Sequence, residues 1–255
     1  MKKKEDLYKK TIDFHDDGEI YDVVNSSFVE DVPFWKKWCE KAGKNVLELC
    51  SGTGRIGIPL IKAGFNYTGI DNSKDFLDIA RKKAAKLDPN KYSCHFLHGD
   101  MRSFSLKQKF DSIIIPFNAF QHMFTSDDIT RCMGQVKKHL RKGGLFIVNV
   151  FNPKLEKLIP DYEKERDIYK FPKKFSIFET RRYDKASQIM FADWHYKFYG
   201  QRKDFTKNLI MRVFYPQEFN SYFEANGFRI IHKFGDYKGR PFDSSSSCQV
   251  VIATR

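Results

Sequence analysis

The chain has 255 residues, a formal net charge of +13 and 41% hydrophobic residues, which is enough apolar material for one large domain and too much for a disordered tail. No apolar run approaches the roughly eighteen residues of a transmembrane helix, and no apolar segment follows the basic N-terminal residues as in a signal peptide. The five cysteines are scattered and never spaced as CxxC. We therefore expect a cytoplasmic protein with no disulfide framework and no metal site.

Up to about residue 151, short apolar segments alternate with amphipathic ones, which is typical of a parallel sheet covered by helices on both faces. The pattern predicts five strands, at residues 46–49, 67–70, 92–97, 110–115 and 145–150. It also predicts helices at residues 56–64, 74–87 and 127–140, the second capped by Ser73 and the third ending before Gly143-Gly144.

The pattern changes after Pro153. Residues 154–172 are charged and predicted to form a loop, and three strands of an antiparallel meander follow at residues 175–182, 188–199 and 209–215. A helix that begins at Pro216 and two final strands, at 228–234 and 249–253, complete the chain. We expect an α/β fold: a Rossmann-like, doubly wound, mostly parallel sheet ending in an antiparallel strand pair. Its core would comprise residues 1–152 and 216–255, with a small antiparallel β cap inserted at 153–215.

The high net charge, with a sequence pI of about 9.4, raises the question of a nucleic-acid partner. The basic excess is spread along the chain, with 25 Lys and Arg against 19 Asp and Glu in residues 1–150, and 20 against 13 in residues 151–255. Lysines also outnumber arginines, whereas bidentate contacts to phosphates and bases favour arginine. A solvated surface is therefore the preferred interpretation, and nucleic acid is the less favoured partner.

A glycine-rich turn, VLELCSGTGRIG at residues 46–57, separates the first strand from the first predicted helix. Glycines at such a turn let the backbone approach a ligand at a helix N-terminus. With Asp71 about twenty residues further on, the turn also matches the dinucleotide fingerprint, so NAD binding has to be weighed. Glu48 in the strand end and the lengthened turn at Cys50-Ser51 argue against a pyrophosphate, because a carboxylate repels it. An adenosine with a positive, phosphate-free tail is favoured.

Five segments, in order, resemble the motifs of class I S-adenosylmethionine-dependent methyltransferases: ELCSGTGR, GIDNS, HGDMRSF, FDSIIIPFNAFQHM and LRKGGLFIVNVFN. The resemblance implies that S-adenosylmethionine is the cofactor and S-adenosylhomocysteine the product. It places Glu48 near the methionine amino group, Asp71 at both ribose hydroxyls and Asp100 at the adenine amino group. The cofactor-binding residues that it implies are Glu48, Gly52, Gly54, Arg55 (toward the cofactor carboxylate), Asp71, Asn72, Asp100, Met101 (against the adenine ring) and Pro116.

The end of the fourth strand bears on the methyl acceptor. Pro116 and Asn118 do not reproduce the Asn/Asp-Pro-Pro-aromatic tetrad of enzymes that methylate nucleobase amines. PFNAFQHM instead resembles the subgroup that methylates small molecules, including sugar-amine and glycine-type N-methyltransferases, and this resemblance extends over nearly the whole chain. It implies in-line transfer of a methyl group to an amine or hydroxyl of a small molecule.

Candidate acceptor-side residues follow from position and residue type. His122 and His195 are the candidates for a general base, if the acceptor must lose a proton. Asn118, Trp194 and Tyr21 are candidates for substrate contacts, Tyr21 because related enzymes fold the segment before the first strand over the cofactor. The aromatic-rich residues of the insertion are expected to roof the active site: Phe178, Met190, Phe191, Trp194, Tyr196, Phe198 and Tyr199.

Two alternatives stay open on the sequence alone. An RNA methyltransferase would show steeply salt-dependent RNA binding. A non-catalytic protein of the same fold would bind S-adenosylmethionine without transferring its methyl group. The sequence leaves the acceptor atom undecided and allows a monomer or a homodimer.

Overall fold

Two β-sheets organise the chain in the computed structural model, which describes residues 7–8, 17–25, 27–154, 158, 162–170, 173–200 and 203–255. The large sheet contains seven strands: β1 Asn45–Leu49, β2 Asn66–Asp71, β3 Cys94–His98, β4 Phe110–Ile115, β5 Leu140–Phe151, β10 Arg229–Phe234 and β11 Cys248–Thr254. The small sheet contains four: β6 Tyr162–Lys170, β7 Lys173–Asp184, β8 Ile189–Phe198 and β9 Phe205–Arg212.

The strand order of the large sheet is β10-β11-β5-β4-β1-β2-β3. Its strand pairs are parallel except those of β11, which runs antiparallel to both β5 and β10. The predicted α/β fold, with a mostly parallel sheet ending in an antiparallel pair, is therefore confirmed. The chain leaves β1 toward β2 and later returns to β4 on the other side of β1, so a crevice forms at the carboxyl ends of β1 and β4.

Helices cover both faces of this sheet: α1 Gly18–Asn25, α2 Val32–Ala42, α3 Gly57–Lys62, α4 Lys74–Ala84, α5 Ser126–His139 and α6 Pro216–Ala225. Alternate residues of β4 belong to different cores, with Ile113 packed in the layer of α5 and α6 and Ile114 in the layer of α2, α3 and α4. The predicted cap of α4 is present, because the Phe76 N–H donates to Ser73 Oγ at 3.3 Å. Within the described residues, no helix is both long and apolar enough to cross a membrane.

The small sheet corrects one prediction. Residues 162–170, predicted as loop, form β6, which pairs antiparallel with β7 along its whole length, so the sheet has four strands rather than three. The sequence of β6 is charged and has no apolar pattern, so it does not indicate a strand. An edge strand can form without such a pattern, because backbone pairing with its neighbour holds it. The small sheet is tied to the carboxyl end of β4: Gln121 Nε2 donates to the Arg212 carbonyl at 2.8 Å.

Candidate active site

A cavity of about 570 Å³ lies at the carboxyl ends of β1, β2 and β4, with the small sheet over it. It combines side chains from the large sheet, from α1 and from the small sheet. The residues predicted for the site that line this cavity are Tyr21, Gly52, Asp71, Asn72, Asp100, Met101, Pro116, Asn118, His122 and Trp194. Glu48, Gly54, Arg55 and His195 do not line it.

The turn after β1 brings bare backbone to the cavity wall. Cys50, Gly52 and Gly54 all have positive φ, at 58°, 56° and 81°. A Cβ at Gly52 would have only Phe76 within 4 Å, at 3.8 Å, so its open side faces the cavity. A Cβ at Gly54 would instead meet Ile58 at 3.2 Å and Ala80 at 3.4 Å. Gly54 therefore serves the packing of the turn against its helices, which explains its distance from the cavity.

Asp71, at the end of β2, is the best-defined anion of the site. Its Oδ2 accepts the Gly52 N–H and its Oδ1 accepts the Ser73 N–H, both at 2.8 Å. Burial raises the pKa of this carboxyl above its ordinary value, against the lowering effect of these hydrogen bonds. A carboxylate has four lone pairs, so acceptor capacity remains for a ligand beside these bonds and a further backbone bond from Asn72. The pair of oxygens on the cavity wall fits a ligand that presents two neighbouring hydroxyl groups.

Asp100 lies beside an arginine that the sequence analysis missed. Arg102 donates to Asp100 from its backbone N–H at 2.7 Å and from Nη2 at 2.5 Å. Burial opposes ionisation of Asp100, but the bonds from Arg102 outweigh it and hold the pKa below its ordinary value. Arg102 Nη1 also reaches Asp128 at 3.3 Å, and its guanidinium lies 4.0 Å from the ring centroid of Tyr8. Tyr8 and Arg102 both line the cavity.

Glu48 lies behind the cavity rather than in its wall. Its side chain is buried in the middle of the sheet, where Oε2 accepts the Tyr67 hydroxyl at 2.7 Å. Burial raises the pKa of Glu48 from an ordinary 4.5 to about 8, although the Tyr67 hydroxyl and the Arg55 charge oppose this. The free protein therefore holds much of Glu48 in the protonated form at neutral pH. The position expected from the resemblance, beside a ligand amino group, is not part of the cavity wall.

The raised pKa of Glu48 predicts a pH-dependent stability difference. Below pH 4.5 the group is protonated in both folded and unfolded chains, but between 4.5 and 8 the folded chain binds more protons, so its stabilising contribution is lost as the pH rises. Glu48→Gln, which keeps an acceptor for Tyr67, should match the wild type near pH 4.5. It should be more stable by on the order of 4 kcal/mol above pH 8.

Urea unfolding at pH 5 and pH 8.5 measures this difference. Glu40→Gln, on the exposed face of α2, is the matched control. Its difference from the wild type in free energy of unfolding should be the same at the two pH values. A Glu48→Gln difference that does not change with pH would contradict the assignment.

Arg55 differs from its expected role at the cofactor carboxylate. Its Nη1 and Nη2 donate to the two carboxylate oxygens of Asp31 at 2.6 and 2.8 Å, and Nη1 also donates to the Phe28 carbonyl at 2.8 Å. The guanidinium lies 4.5 Å from the ring centroid of Phe117. Because Asp31 is completely buried, its charge holds Arg55 in this pair and out of the cavity wall.

The end of β4 has an unusual backbone. Phe117 and Asn118 follow Pro116 with φ of 57° and 61°, a conformation that costs non-glycine residues free energy and recurs at functional sites. Asn149 Nδ2 on β5 donates to Asn118 Oδ1 at 3.0 Å and holds this side chain. The strained turn presents Pro116, Phe117 and Asn118 to the cavity and leads into a 3-10 helix, Ala119–His122.

His122 ends this 3-10 helix and lines the cavity. Its Nδ1 lies 3.0 Å from the Ile210 carbonyl of β9. A carbonyl only accepts, so Nδ1 carries the proton and Nε2 is the basic nitrogen of the ring. Burial lowers the pKa of His122 to about 4, so the imidazole is neutral at physiological pH.

The small sheet supplies the roof through one of its two faces. Neighbouring strand residues point to opposite faces, so Trp194 faces the cavity while His195 faces away. His195 Nδ1 lies 2.9 Å from Thr206 Oγ1, and its ring contacts Phe178. His195 is therefore out of reach of the cavity, and Phe178 shares its face. The roof residues that line the cavity are Glu179, Arg181, Met190, Trp194, Leu209 and Met211.

Comparisons with known proteins agree with this geometry. Residues 46–144 match the family described as methyltransferase domain. A glycine/sarcosine N-methyltransferase from Aphanothece halophytica is 26% identical over 216 residues, covering 80% of this chain and 74% of the relative.

Solved structures share the fold. The CcbJ methyltransferase from Streptomyces caelestis has a TM-score of 0.82 at 24% identity, covering 96% of this chain and 98% of that one. CalS10 with bound S-adenosylmethionine, an amino pentose methyltransferase from Micromonospora echinaspora, has a TM-score of 0.71 at 18% identity, covering 93% and 95%. With the matched domain and the expected order of motifs, the chain is a class I S-adenosylmethionine-dependent methyltransferase.

Proposed function

We propose that this enzyme methylates an amine of a small molecule. The observation that carries the proposal is the roof: the cavity continues from the glycine turn to the inner face of the small sheet. Its volume of about 570 Å³ has to hold the cofactor and the acceptor together. That volume is in the range of small-molecule sites, roughly 300–1,000 Å³. We also propose that residues 153–215 act as an inserted substrate cap on a core of residues 1–152 and 216–255.

An amine is preferred to a hydroxyl for two reasons. The relative named above acts on glycine and sarcosine, and the amino pentose methyltransferase shares the fold, so amine acceptors are represented among similar proteins. In this chain, Glu179 places a carboxylate in the roof with only about 5% of the residue exposed. Arg181 Nε donates to its Oε1 at 2.5 Å. Such a carboxylate is a good partner for an amine or ammonium group.

We assign the cofactor half of the cavity as follows. Asp71 would accept the two ribose hydroxyls, with the backbone of Gly52 and Asn72 beside them. Asp100 would accept from the adenine amino group, and Met101 would pack against the adenine ring. When bound, S-adenosylmethionine supplies an electrophilic methyl group on a positive sulfur. The protein's own task is to align that group with the acceptor and to exclude water.

The acceptor half has a second task if the acceptor is an amine, because a nitrogen that gains a methyl group must release a proton. We propose that Nε2 of His122 accepts it as the methyl group is transferred, since the Ile210 carbonyl fixes the tautomer in which this nitrogen carries no proton. Pro116 and Asn118 would shape the path of approach, and Tyr21 and Trp194 would close it from α1 and from the roof.

The proposal is tested with methyl-labelled S-adenosylmethionine and an extract of the source cells, separated afterwards into small molecules, RNA and protein. We expect label in the small-molecule fraction, on nitrogen. Asp71→Ala in parallel shows which label depends on the enzyme. Label only in RNA would overturn the proposal in favour of a nucleic-acid acceptor. Label in no fraction, with S-adenosylhomocysteine binding intact, would favour a non-catalytic cofactor-binding protein.

A further inference from the structure

Thr53 and Arg55, the two neighbours of Gly54 in the glycine turn, each anchor a different segment near helix α1, and Thr53 anchors the helix itself. Thr53 Oγ1 donates to Asp22 Oδ1 at 2.5 Å, which fixes the middle of α1 to the turn. Lys83 of α4 completes this first anchor: its Nζ lies 2.5 Å from Asp22 Oδ2 and donates to the Thr53 carbonyl at 3.0 Å. Thr53 does not line the cavity.

Arg55, on the other side of Gly54, holds the segment that follows α1. It donates to both carboxylate oxygens of Asp31 and to the Phe28 carbonyl. Asp31 also accepts the indole N–H of Trp35 at 3.0 Å, so this second anchor is itself tied to the core of α2. Breaking such a buried pair on one side leaves an uncompensated charge, so the anchor is sensitive to substitution.

Next to the first anchor, α1 places Tyr21 in the cavity wall, with its ring 4.7 Å from that of Phe76. Burial raises the pKa of Tyr21, and the positive charge of Arg55 is the largest effect that lowers it. The glycine turn therefore also fixes the position of helix α1, which contributes Tyr21 to the cavity wall.

We infer that Arg55 and Thr53 are positioning residues, which couple the glycine turn to α1 and so set the position of Tyr21 against the bound cofactor. Neither side chain needs to touch the ligand. Their contribution to cofactor affinity is transmitted through Tyr21, and it disappears when the Tyr21 side chain is removed. The inference concerns cofactor binding and holds whatever the methyl acceptor is.

A double-mutant cycle tests this inference with S-adenosylhomocysteine as the probe and calorimetric titration as the readout. Arg55→Lys keeps the charge but loses the bidentate geometry, and we expect it to weaken binding about tenfold when Tyr21 is present. In a Tyr21→Ala background the same substitution should weaken binding less than about twofold. Thermal unfolding of all four proteins establishes that each is folded at the titration temperature.

Two other roles give different results. If Arg55 binds the ligand carboxylate directly, or acts only on general stability, Arg55→Lys lowers affinity by the same factor in both backgrounds, which would overturn the inference. Unchanged affinity in both backgrounds would overturn it as well. Thr53→Val, put through the same cycle, provides an independent anchor if the Arg55 variant does not fold. Arg141→Lys, at the Arg141–Asp111 ion pair outside the cavity, is the matched control and should leave affinity unchanged.

Discussion

Asp71→Ala should weaken S-adenosylhomocysteine binding by at least about 100-fold while leaving the protein folded. The carboxylate keeps acceptor capacity for the ligand, and hydrogen bonds to a charged group contribute about 1.5–3 kcal/mol each. Asp71 also accepts the Gly52 N–H at 2.8 Å, so its loss leaves this N–H of the glycine turn without its partner. Calorimetric titration measures the affinity, and circular dichroism establishes that the fold is retained.

Two further variants separate these contributions. Asp71→Asn keeps one carbonyl acceptor but introduces an NH2 group facing a backbone N–H, so we expect an intermediate loss of affinity. Asp78→Ala removes an exposed carboxylate from helix α4, which follows Asp71 in the chain, and should bind the ligand like the wild type. If Asp71→Ala keeps its affinity, the placement of the cofactor in this half of the cavity is wrong.

His122→Ala should lower kcat by about 10²-fold once the acceptor is known, the lower end of the range for a general base, because a lowered pKa makes the imidazole a weaker base. Its pKa of about 4 sets the pH dependence. Protonation of His122 would abolish its function only as the pH falls toward 4, so a loss of activity between pH 6 and 8 comes from another group, such as the acceptor amine or Glu48 with its pKa of about 8. The kcat–pH profile of the wild type measures this directly.

The affinity for S-adenosylhomocysteine separates catalysis from cofactor binding in the same variant. We expect His122→Ala to bind the product within about twofold of the wild type, because we assign the imidazole, which lines the cavity, to its acceptor half. His122→Gln keeps a hydrogen-bonding side chain without a usable base and should be as slow as His122→Ala. Full activity of His122→Gln would show that the residue orients the small sheet and accepts no proton.

The elements that the sequence predicts well are those whose burial is encoded locally. Strands β4 and β11 are apolar runs buried on both faces, and α4 combines the Ser73 cap with a regular apolar stripe. Helix α1 and strand β6 were not predicted, because neither carries such a pattern. Helix α1 is held by Asp22 and by the anchor at Asp31, and β6 by pairing with β7, so both depend on partners remote in sequence.

The sequence predicts those site residues whose place at the cavity follows from their position at the end of a strand. Asp71 and Asp100 end up at the cavity because carboxyl ends of parallel strands meet at one edge. The position of Arg55 could not be predicted, because its partner Asp31 is 24 residues away in the sequence and comes next to it only on folding. In the roof, alternation fixes that Trp194 and His195 face opposite ways but not which of them faces inward. In the structure Trp194 faces inward. Its cross-strand partner Glu179, which was not predicted, lines the cavity, and Phe178, the partner of His195, lies on the outer face.

The position of β11 between β5 and β10 constrains the order in which the sheet can be completed. Among the described strands, β10 pairs with β11 alone, and β11 comes after it in the chain. During synthesis β10 therefore waits without a strand partner, its hydrogen-bonding edge open, until residues 248–254 arrive to pair with β5 on one side and β10 on the other. Closure of this edge is a late step because β11 must also pair with the distant β5, and until then the open edge of the nascent chain is exposed to mispairing.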